Sequence, residues 1–331
     1  MLHPDAKLRD DLFEAAEQAP TRDGFGKGLV EAGEKDSRIV VLCADLAEST
    51  RVEEFSKKFP DRFVEVGVAE QNLAALASGF AAAGKVPFIA SYATFSPGRN
   101  NEQIRTTISL NEQPVIIGGM HAGVSVGPDG ATHQALEDMA LMRVQPNMTV
   151  ISPCDAEEAR KATVAASVLG KPVYVRFARD KTPIMTSFDT PFAIGKANVL
   201  WYPQQGAPSV AILATGPLVH TALIAARELE NRDIPTTVTN FHTVKPLDVE
   251  TLVGVASEAG AVVTVEEHQI AGGFGSAVAE ALAQTYPVPM EFVGVHDRFG
   301  QSGTPRELIE EYGMGASHIV DAVARVLPRR R

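Results

Sequence analysis

One carboxylate and two histidines stand where side chains of an α/β protein commonly do chemistry. Glu70 follows an apolar run at 63–66 and opens an Ala-rich stretch that favours a helix, so it lies just beyond a predicted strand. His121 and His133, twelve residues apart, bracket a polar Gly-rich loop that also carries Asp129. Ligands of open α/β sheets collect at the carboxyl edge of the strands. A carboxylate placed there can share a proton with a nitrogen base.

Each of these residues also has a structural explanation. An acidic residue in the first turn of a helix is favoured by the helix dipole, which is the alternative for Glu70. Arg22 opens the first predicted helix and Arg179 follows a predicted strand at 173–177. Guanidinium groups bind phosphate oxygens in pairs, but either arginine could instead form a surface salt bridge. The joint occurrence of all these residues favours a functional site.

Short apolar runs alternate with helical segments along most of the chain. Runs of this kind are typical of parallel strands that are buried on both faces. The predicted strands cover 39–43, 63–66, 88–92, 115–120, 149–152 and 173–177 in the first half, and 210–214, 236–240, 261–266 and 291–295 in the second. The predicted fold class is therefore α/β, with two doubly wound, mostly parallel sheet domains.

The same pattern divides the 331 residues into segments. We predict an N-terminal arm of helical character over 1–20, a first domain over 21–180, a linker over 181–208 and a second domain over 209–331. The linker prediction depends on four prolines in a stretch with few helix signals. A chain of this length has room for two domains of ordinary size.

Composition excludes several classes of function. The net charge of −11 argues against nucleic acid and against an anionic membrane as partners. No apolar run approaches the roughly 18 residues that a membrane-spanning helix needs, and the N-terminus lacks a secretory pattern. The two cysteines, Cys43 and Cys154, indicate no disulfide framework. We expect a cytoplasmic protein.

Six runs, taken in order, resemble the C-terminal half of transketolase, which is a pyrimidine-binding domain followed by a C-terminal domain. The set is far more specific than any single run, and the resemblance extends over about residues 18–327. The runs are Ala44-Asp-Leu-Ala-Glu-Ser-Thr50, Val66-Gly-Val-Ala-Glu-Gln-Asn72, Ser91-Tyr-Ala-Thr-Phe95, the loop 121–133, Arg176-Phe-Ala-Arg179 and Asp297-Arg-Phe-Gly-Gln-Ser-Gly303.

The resemblance implies thiamine diphosphate as cofactor. In that family the glutamate in the position of Glu70 hydrogen-bonds the pyrimidine ring nitrogen of the cofactor, and the cofactor supplies the carbanion chemistry. Phe95 is implied to stack on the pyrimidine, with Tyr92 beside it. The run Ser96-Pro-Gly-Arg-Asn100 departs from the pattern of full-length transketolases, which leaves open which ring stacks.

The resemblance also implies a sugar-phosphate site. His133 is implied to be catalytic and to hydrogen-bond the carbonyl or C1 hydroxyl side of a ketose donor, while Asp129 contacts a hydroxyl of the acceptor. Arg22 and Arg179 form the implied phosphate clamp. The complete set of residues implied to bind or orient substrate is Arg22, Asp45, Ser49, His121, Asp129, His133 and Arg179.

One expected motif is missing. Thiamine diphosphate enzymes hold the diphosphate through a divalent metal on a Gly-Asp-Gly motif, which this sequence lacks, and Gly127-Pro-Asp-Gly130 belongs to the histidine loop. The chain also starts where the second domain of a full transketolase would start. We therefore predict a split enzyme with no metal ligands on this chain. A transketolase N-terminal subunit would supply the diphosphate site and Mg²⁺ or Ca²⁺, most simply in an α2β2 heterotetramer.

The predicted reaction moves a two-carbon ketol unit from a ketose phosphate to an aldose phosphate. Alternatives are a 1-deoxyxylulose-5-phosphate synthase-like enzyme, a 2-oxoacid dehydrogenase β chain, and a split transketolase for a sulfosugar or branched sugar. The runs at 44–46 and 297–300 favour transketolase, and the paired histidines speak against the dehydrogenase. A non-catalytic scaffold is the remaining alternative, which the joint presence of the site residues argues against.

The predicted second domain carries a further Gly-rich run. Gly272-Gly-Phe-Gly275 precedes a predicted helix at 276–284, and Glu266-Glu-His268 comes just before it. A lone Gly-rich turn is a weak signal for phosphate binding. We interpret the run as structural, and we consider that His268 could reach an interface.

Overall fold

Two mostly parallel sheets form the framework of the protein, and the predicted α/β fold class is confirmed. The computed structural model describes residues 1–14 and 16–330. The strands are β1 (Gln18–Pro20), β2 (Ile39–Cys43), β3 (Phe63–Glu65), β4 (Val86–Tyr92), β5 (Ile116–Met120), β6 (Thr149–Ile151), β7 (Val173–Arg176), β8 (Lys181–Pro183), β9 (Asn198–Trp201), β10 (Val210–Ala214), β11 (Thr236–Asn240), β12 (Thr243–Lys245), β13 (Val262–Gln269) and β14 (Met290–Val295).

Helices connect most of the strands. The helix Asn101–Gln103 continues as a π-helical turn over Ile104–Ser109, and short 3-10 turns occur at Pro4–Ala6, Pro60–Arg62, Val124–Asp129 and Leu327–Arg329. The α-helices are α1 (Thr21–Lys35), α2 (Glu53–Lys58), α3 (Glu70–Ala82), α4 (Asn101–Gln103), α5 (Asp138–Arg143), α6 (Ala156–Val168), α7 (Leu218–Glu230), α8 (Val249–Ala259), α9 (Phe274–Gln284), α10 (Pro305–Glu311) and α11 (Ala316–Val326).

The first sheet has seven strands in the order β12-β6-β7-β5-β4-β2-β3. All neighbouring pairs are parallel except β12 with β6. The carboxyl ends of β2, β3, β4, β5 and β7 therefore meet at one edge. Most of the predicted site residues follow these ends, whereas Arg22 lies at the start of α1, so the sheet gathers most of the candidate site at this edge.

The second sheet has five strands in the order β14-β13-β10-β11-β9, with only β9 antiparallel to its neighbour. Its two faces pack differently. Helices α7 and α11 cover one face, whereas α8 and α9 cover the other and share an apolar cluster with one face of the first sheet. The two sheets are thus joined by continuous hydrophobic packing.

Strand β2 shows why these apolar runs become central parallel strands. Ile39, Val41 and Cys43 pack on one side against helices α1, α2 and α6, while Val40 and Leu42 pack on the other side against α3. All five side chains are buried. Removal of both faces from water is the main stabilising contribution in this sheet, at roughly 25 cal/mol for each Å² of apolar surface.

The prediction of a helical arm over 1–20 is wrong for the residues that the structure describes. The segment makes a 3-10 turn at Pro4–Ala6 and ends in strand β1, which pairs antiparallel with β8. Leu2 and Leu8 form isolated backbone bridges with Trp201 and Thr186, and both leucines pack against the core of the second domain. Burial of these apolar side chains outweighs the helix propensity of the segment.

The predicted linker at 181–208 does more than connect two domains. Its first residues form β8, and β9 adds an antiparallel edge strand to the second sheet. In return, β12, from the predicted second domain, extends the first sheet. The predicted boundaries remain predictions, but β12 ties the predicted second domain to the first sheet.

A buried ionic cluster lies between the sheets. Arg176 Nε donates to Asp138 Oδ2 at 2.9 Å, and Arg176 Nη2 donates to the carbonyls of Ala135 (3.2 Å) and Glu267 (2.8 Å). The hydroxyl of Tyr174 donates to the same Asp138 oxygen at 2.7 Å. The Arg176 and Asp138 side chains are 4% and 1% exposed, so each charge depends on the other.

We expect Asp138→Ala to lower the free energy of unfolding by about 3–5 kcal/mol, because it removes the hydrogen-bonded counter-ion of the buried Arg176. Urea denaturation measures this change. The matched control, Glu228→Ala, removes an exposed pair with Arg232 and should change stability by less than about 1 kcal/mol. A loss for Asp138→Ala no larger than that of the control would contradict the assigned role of the cluster.

Candidate active site

Glu70 is the first residue of α3 and is almost completely buried. The chain reaches it through Gly67, whose φ of 71° permits the turn out of β3. Glu70 Oε1 accepts a hydrogen bond from Arg99 Nη1 at 3.0 Å. Its backbone carbonyl accepts another from Asn100 Nδ2 at 3.0 Å. The carboxylate is thus buried and paired with a guanidinium from the loop after β4.

Four rings cluster beside this carboxylate. Tyr92 and Phe95 stack with ring centroids 5.6 Å apart. The ring of His121 lies 3.9 Å from that of Tyr92, and His133 contacts the edges of both Phe95 (5.5 Å) and Tyr92 (5.9 Å). The structure therefore brings together the two aromatic residues and the two histidines to which the sequence points.

His121 is a neutral hydrogen-bond acceptor in this cluster. Its Nε2 lies 3.3 Å from Arg22 Nη1. A guanidinium can only donate, so Nε2 carries no proton and the ring hydrogen is on Nδ1. Burial, followed by the positive charges of Arg22 and Arg179, lowers the pKa of His121 to about 3. The Nδ1–H is buried and finds no partner among the described residues.

Arg22 is held by its neighbours but is not neutralised by a carboxylate. Besides His121, its Nη1 donates to the backbone carbonyl of Ser49 at 2.8 Å. Burial, and then the nearby charge of Arg51, lowers the pKa of Arg22, and Arg179 acts in the same direction. Two or more guanidinium groups that repel one another form a natural site for an anion.

Arg179 reaches the same region from the end of β7. Its Nη1 donates to the carbonyl of Val126 at 2.7 Å and lies 3.7 Å from Asp129 Oδ1. Both side chains keep about a third of their surface exposed, at 36% and 33%. A ligand can therefore still approach the guanidinium and the carboxylate from solvent.

The second domain fixes the histidine loop. Gln134 Nε2 donates to the carbonyl of Val124 at 3.0 Å and to that of Gln301 at 2.9 Å. Glu267 Oε1 accepts the backbone N–H of Ser125 at 2.6 Å. Sequence reasoning assigns no role to Gln134 or Glu267, although it singles out the run at 297–303. Only the folded contact across 142 residues reveals the function of Glu267.

Asp45 is less integrated than predicted. Its backbone lies in the left-handed region, with a φ of 58°, and its N–H donates to Glu65 Oε1 at 2.6 Å. The side chain is exposed, and within the described part of the chain no hydrogen bond or ion pair links it to the other predicted site residues. Its predicted orienting role stays a prediction.

Arg99 is the main site residue that sequence reasoning misses. In the sequence, the run at 96–100 stands out only as a departure from the family pattern. In the structure the Arg99 guanidinium lies over the Phe95 ring, with 3.9 Å between Cζ and the ring centroid, while it bonds Glu70. No spacing pattern in the sequence predicts this geometry, because it depends on the path of the loop.

The Gly-rich run of the second domain is occupied by a side chain of the protein. Glu266 accepts the backbone N–H groups of Phe274 (2.7 Å) and Gly275 (2.8 Å) at the start of α9, and burial raises its pKa to about 8. This contact agrees with the structural interpretation of the run. His268 is buried at the contact between the sheets, where its Nε2 lies 4.0 Å from Asp138 Oδ1.

Residues 1–14 and 16–330 contain neither a metal-binding cluster nor a membrane-spanning helix. No group of three or more His, Cys, Asp or Glu side chains is arranged to hold a metal ion. No helix in the same ranges is long and apolar enough to cross a membrane.

Two family models match the chain. The transketolase pyrimidine binding domain matches residues 17–185, and the transketolase C-terminal domain matches residues 195–319. Among curated relatives, the 6-deoxy-6-sulfo-D-fructose transketolase subunit of Clostridium sp. (strain MSTE9) is 40% identical, over 93% of this chain and 95% of the relative. A subunit of the apulose-4-phosphate transketolase of Phocaeicola vulgatus is 35% identical, over 88% of this chain and 93% of the relative.

A solved structure described as "Split gene transketolase, inactive beta4 tetramer" is also similar. It is 44% identical to this chain and superposes with a TM-score of 0.87, covering 94% of this chain and 99% of that one. The likeness therefore extends over almost the full length of both chains.

We expect the His121 imidazole to remain neutral between pH 5 and pH 8, because burial and the neighbouring guanidinium groups lower its pKa to about 3. Nitrogen-15 NMR should show the proton on Nδ1 throughout this range, with His121→Gln used for assignment. The unfolded chain takes up this proton below about pH 6.5 and the folded chain does not, so this group lowers stability as pH falls from about 6.5 towards 3. An imidazolium signal at pH 6 would contradict the assignment.

Proposed function

Because the chain belongs to the transketolase family and resembles its split C-terminal subunits, we propose that it is one half of a ketol-transferring enzyme. In this proposal the complete enzyme moves a two-carbon ketol unit from a ketose phosphate to an aldose phosphate. The observation that carries the proposal is the joining of Glu70, Phe95 and His133 in one cluster at the carboxyl edge of the first sheet.

The residues present fit the pyrimidine end of thiamine diphosphate, the cofactor that members of this family use. The fit is supported by a group that the protein itself places there. A planar, nitrogen-bearing guanidinium lies on the Phe95 ring and donates N–H to Glu70. An aminopyrimidine offers the same planar shape and nitrogen chemistry. We propose that Glu70 and Phe95 hold this ring, with Tyr92 stacked beside Phe95.

When bound, thiamine diphosphate supplies the carbanion chemistry that breaks and forms the carbon–carbon bond. Glu70 would orient the ring and exchange a proton at its carboxylate. Its Oε2 receives no hydrogen bond from the described residues, whereas Oε1 holds Arg99. A buried carboxylate in this position can act as a general acid–base group.

His133 is placed to bind the donor sugar. Its Nδ1 lies 2.9 Å from Thr132 Oγ1, and its Nε2 makes no hydrogen bond with the described residues. The ring stands edge-on to Phe95, beside the proposed pyrimidine position, so we propose that its free nitrogen bonds a hydroxyl or carbonyl group of the donor. Asp129, beside Arg179, would accept a hydroxyl of the acceptor sugar.

Arg22 and Arg179 would bind the anionic end of the substrate, with the neutral His121 and with Ser49 beside them. The mutual repulsion of these guanidinium groups would fall when an oxyanion lies between them. The same chemistry suits a phosphate or a sulfonate, and one relative is named for a sulfosugar while another is named for a sugar phosphate. The donor is therefore proposed by class, as an anionic ketose.

A partner subunit would complete the site. The sequence lacks the Gly-Asp-Gly motif for the metal-bound diphosphate. Two relatives of nearly the same length are named as subunits, and the similar solved structure is described as an inactive tetramer of β chains. We propose that an N-terminal-half subunit binds Mg²⁺ or Ca²⁺ and the diphosphate in an α2β2 heterotetramer.

In a ketol-transfer assay we expect activity only from the complex with this partner, purified from the native host with thiamine diphosphate and Mg²⁺. Xylulose 5-phosphate is the first donor and ribose 5-phosphate the acceptor, followed by sulfofructose and apulose 4-phosphate as donors. Glu70→Gln should lower kcat by about a hundredfold or more, because it removes the acid–base carboxylate. The exposed Glu102→Gln is the matched control. Equal activity of both variants would contradict the role of Glu70.

Arg179→Gln should raise KM for a phosphorylated ketose by about tenfold to a hundredfold, since a charge-assisted hydrogen bond contributes about 1.5–3 kcal/mol. The same variant should leave kcat/KM for neutral xylulose unchanged. Arg38→Gln, which removes an exposed arginine paired with Asp36, is the control. Equal losses for the charged and neutral donors would show that Arg179 supports the loop rather than the anion.

A further inference from the structure

The loop at 96–100 carries a charged side chain into the centre of the site. Arg99 extends across the Phe95 ring, with its Cζ 3.9 Å from the ring centroid, and its Nη1 donates to Glu70 Oε1 at 3.0 Å. The Arg99 side chain keeps half of its surface exposed, at 50%, while that of Glu70 is 6% exposed. A half-exposed cation therefore neutralises a buried carboxylate.

The loop is built to deliver this contact. Asn100 is buried, and its Nδ2 donates both to the backbone carbonyl of Glu70 (3.0 Å) and to Ser96 Oγ (3.1 Å). A Cβ at Gly98 would lie 2.0 Å from the carbonyl oxygen of Thr94, so only glycine fits this tight turn. The backbone N–H of Arg99 donates to the carbonyl of Phe95 at 2.8 Å. The start of the Arg99 side chain is thus fixed relative to both of its partners.

The guanidinium makes the two contacts that the proposed function requires of the cofactor ring. It is planar and delocalised, it stacks on Phe95, and it presents N–H to Glu70. An aminopyrimidine on the same ring face would stack on Phe95 and bond Glu70 in the same way. The two groups cannot occupy one face of Phe95 together.

We propose that Arg99 is a displaceable stand-in for the aminopyrimidine, which closes the ring position until the cofactor arrives. This inference rests on the proposed function of Glu70 and Phe95. In the closed form Arg99 balances the buried charge of Glu70, which would be costly to leave unpaired. Cofactor binding moves Arg99 towards solvent and gives Glu70 a new nitrogen partner. Arg99 is a positioning residue that controls access to the site.

The closed form should raise the apparent Kd for the cofactor by the reciprocal of the open fraction. If about 80–90% of the molecules are closed, the apparent Kd is about five- to tenfold higher than that of the open form. Removal of the side chain should abolish this difference. It should also lower the thermal stability of the cofactor-free complex, because Glu70 then lacks its counter-ion.

Isothermal titration of thiamine diphosphate with Mg²⁺ into the complex of this chain with its partner subunit tests the proposal. We expect Arg99→Ala to lower the Kd about five- to tenfold. Arg105→Ala, which removes an exposed arginine from the following π-helical turn, should leave the Kd unchanged. If Arg99→Ala does not fold, Arg99→Lys replaces it. Lysine keeps the positive charge but cannot lie flat on the Phe95 ring, so this variant should also bind the cofactor more tightly than the unchanged protein.

An unchanged or higher Kd for the Arg99 variant would overturn the proposal, since it would show that the side chain is neutral or helps to bind the cofactor. Glu70→Gln in the same titration separates this failure from a failure of the proposed function. If Glu70→Gln binds the cofactor more weakly and the Arg99 variant does not bind it more tightly, only the proposed role of Arg99 is contradicted. If Glu70→Gln changes neither the Kd nor ketol transfer, the assignment of the ring site itself is wrong.

Discussion

Arg176 lies where the two sheets meet, and its guanidinium is almost completely removed from water. Burial opposes the charge, but the carboxylates of Asp138 and Glu267 outweigh this effect and raise the pKa of Arg176. The same guanidinium bonds the carbonyl of Ala135, just after the histidine loop, and that of Glu267 in the second sheet. A buried ion pair of this kind is weak evidence for stability. The loss of one partner is nevertheless strongly destabilising, because the other charge then remains buried and unpaired. Arg176 therefore helps to hold both the contact between the two sheets and the end of the loop 121–133.

The candidate site concentrates positive charge, and Arg22 forms no ion pair with a carboxylate among the described residues. The backbone carbonyls of Ser49 and Val126 orient Arg22 and Arg179, and the Asp129 carboxylate lies 3.7 Å from the Arg179 guanidinium. His121 stays neutral because its burial disfavours the charged imidazolium, and because a further positive charge beside Arg22 and Arg179 would be unfavourable. As an anion site, as proposed, this arrangement would be preorganised, because folding has already brought the like charges together and a bound anion would relieve their repulsion.

The sequence predicts what depends on local pattern and cannot predict what depends on long-range packing. Apolar runs such as 39–43 reveal the strands, because parallel strands buried on both faces leave a continuous apolar signature. The carboxyl-edge rule then gathers Glu70 and His133 correctly at one edge of the sheet. The prediction of a helical arm fails because the burial of Leu2 and Leu8 against another domain leaves no local signal. The position of Arg99 over Phe95 depends on a loop turn, which no spacing rule encodes.

The central difficulty for a divided active site is that each half must remain stable without the other. A carboxylate that will later bond a cofactor nitrogen has to be buried next to an apolar ring, and such a group is costly when it has no partner. In the proposed divided site, Glu70 would meet this difficulty with Arg99, a cation from its own chain whose side chain is half exposed and could be displaced. A permanent buried counter-ion, such as Arg176 for Asp138, could not be exchanged in this way. The contrast between these two pairs separates a structural ion pair from one suited to exchange, because the exposure of the cation decides whether a ligand can replace it.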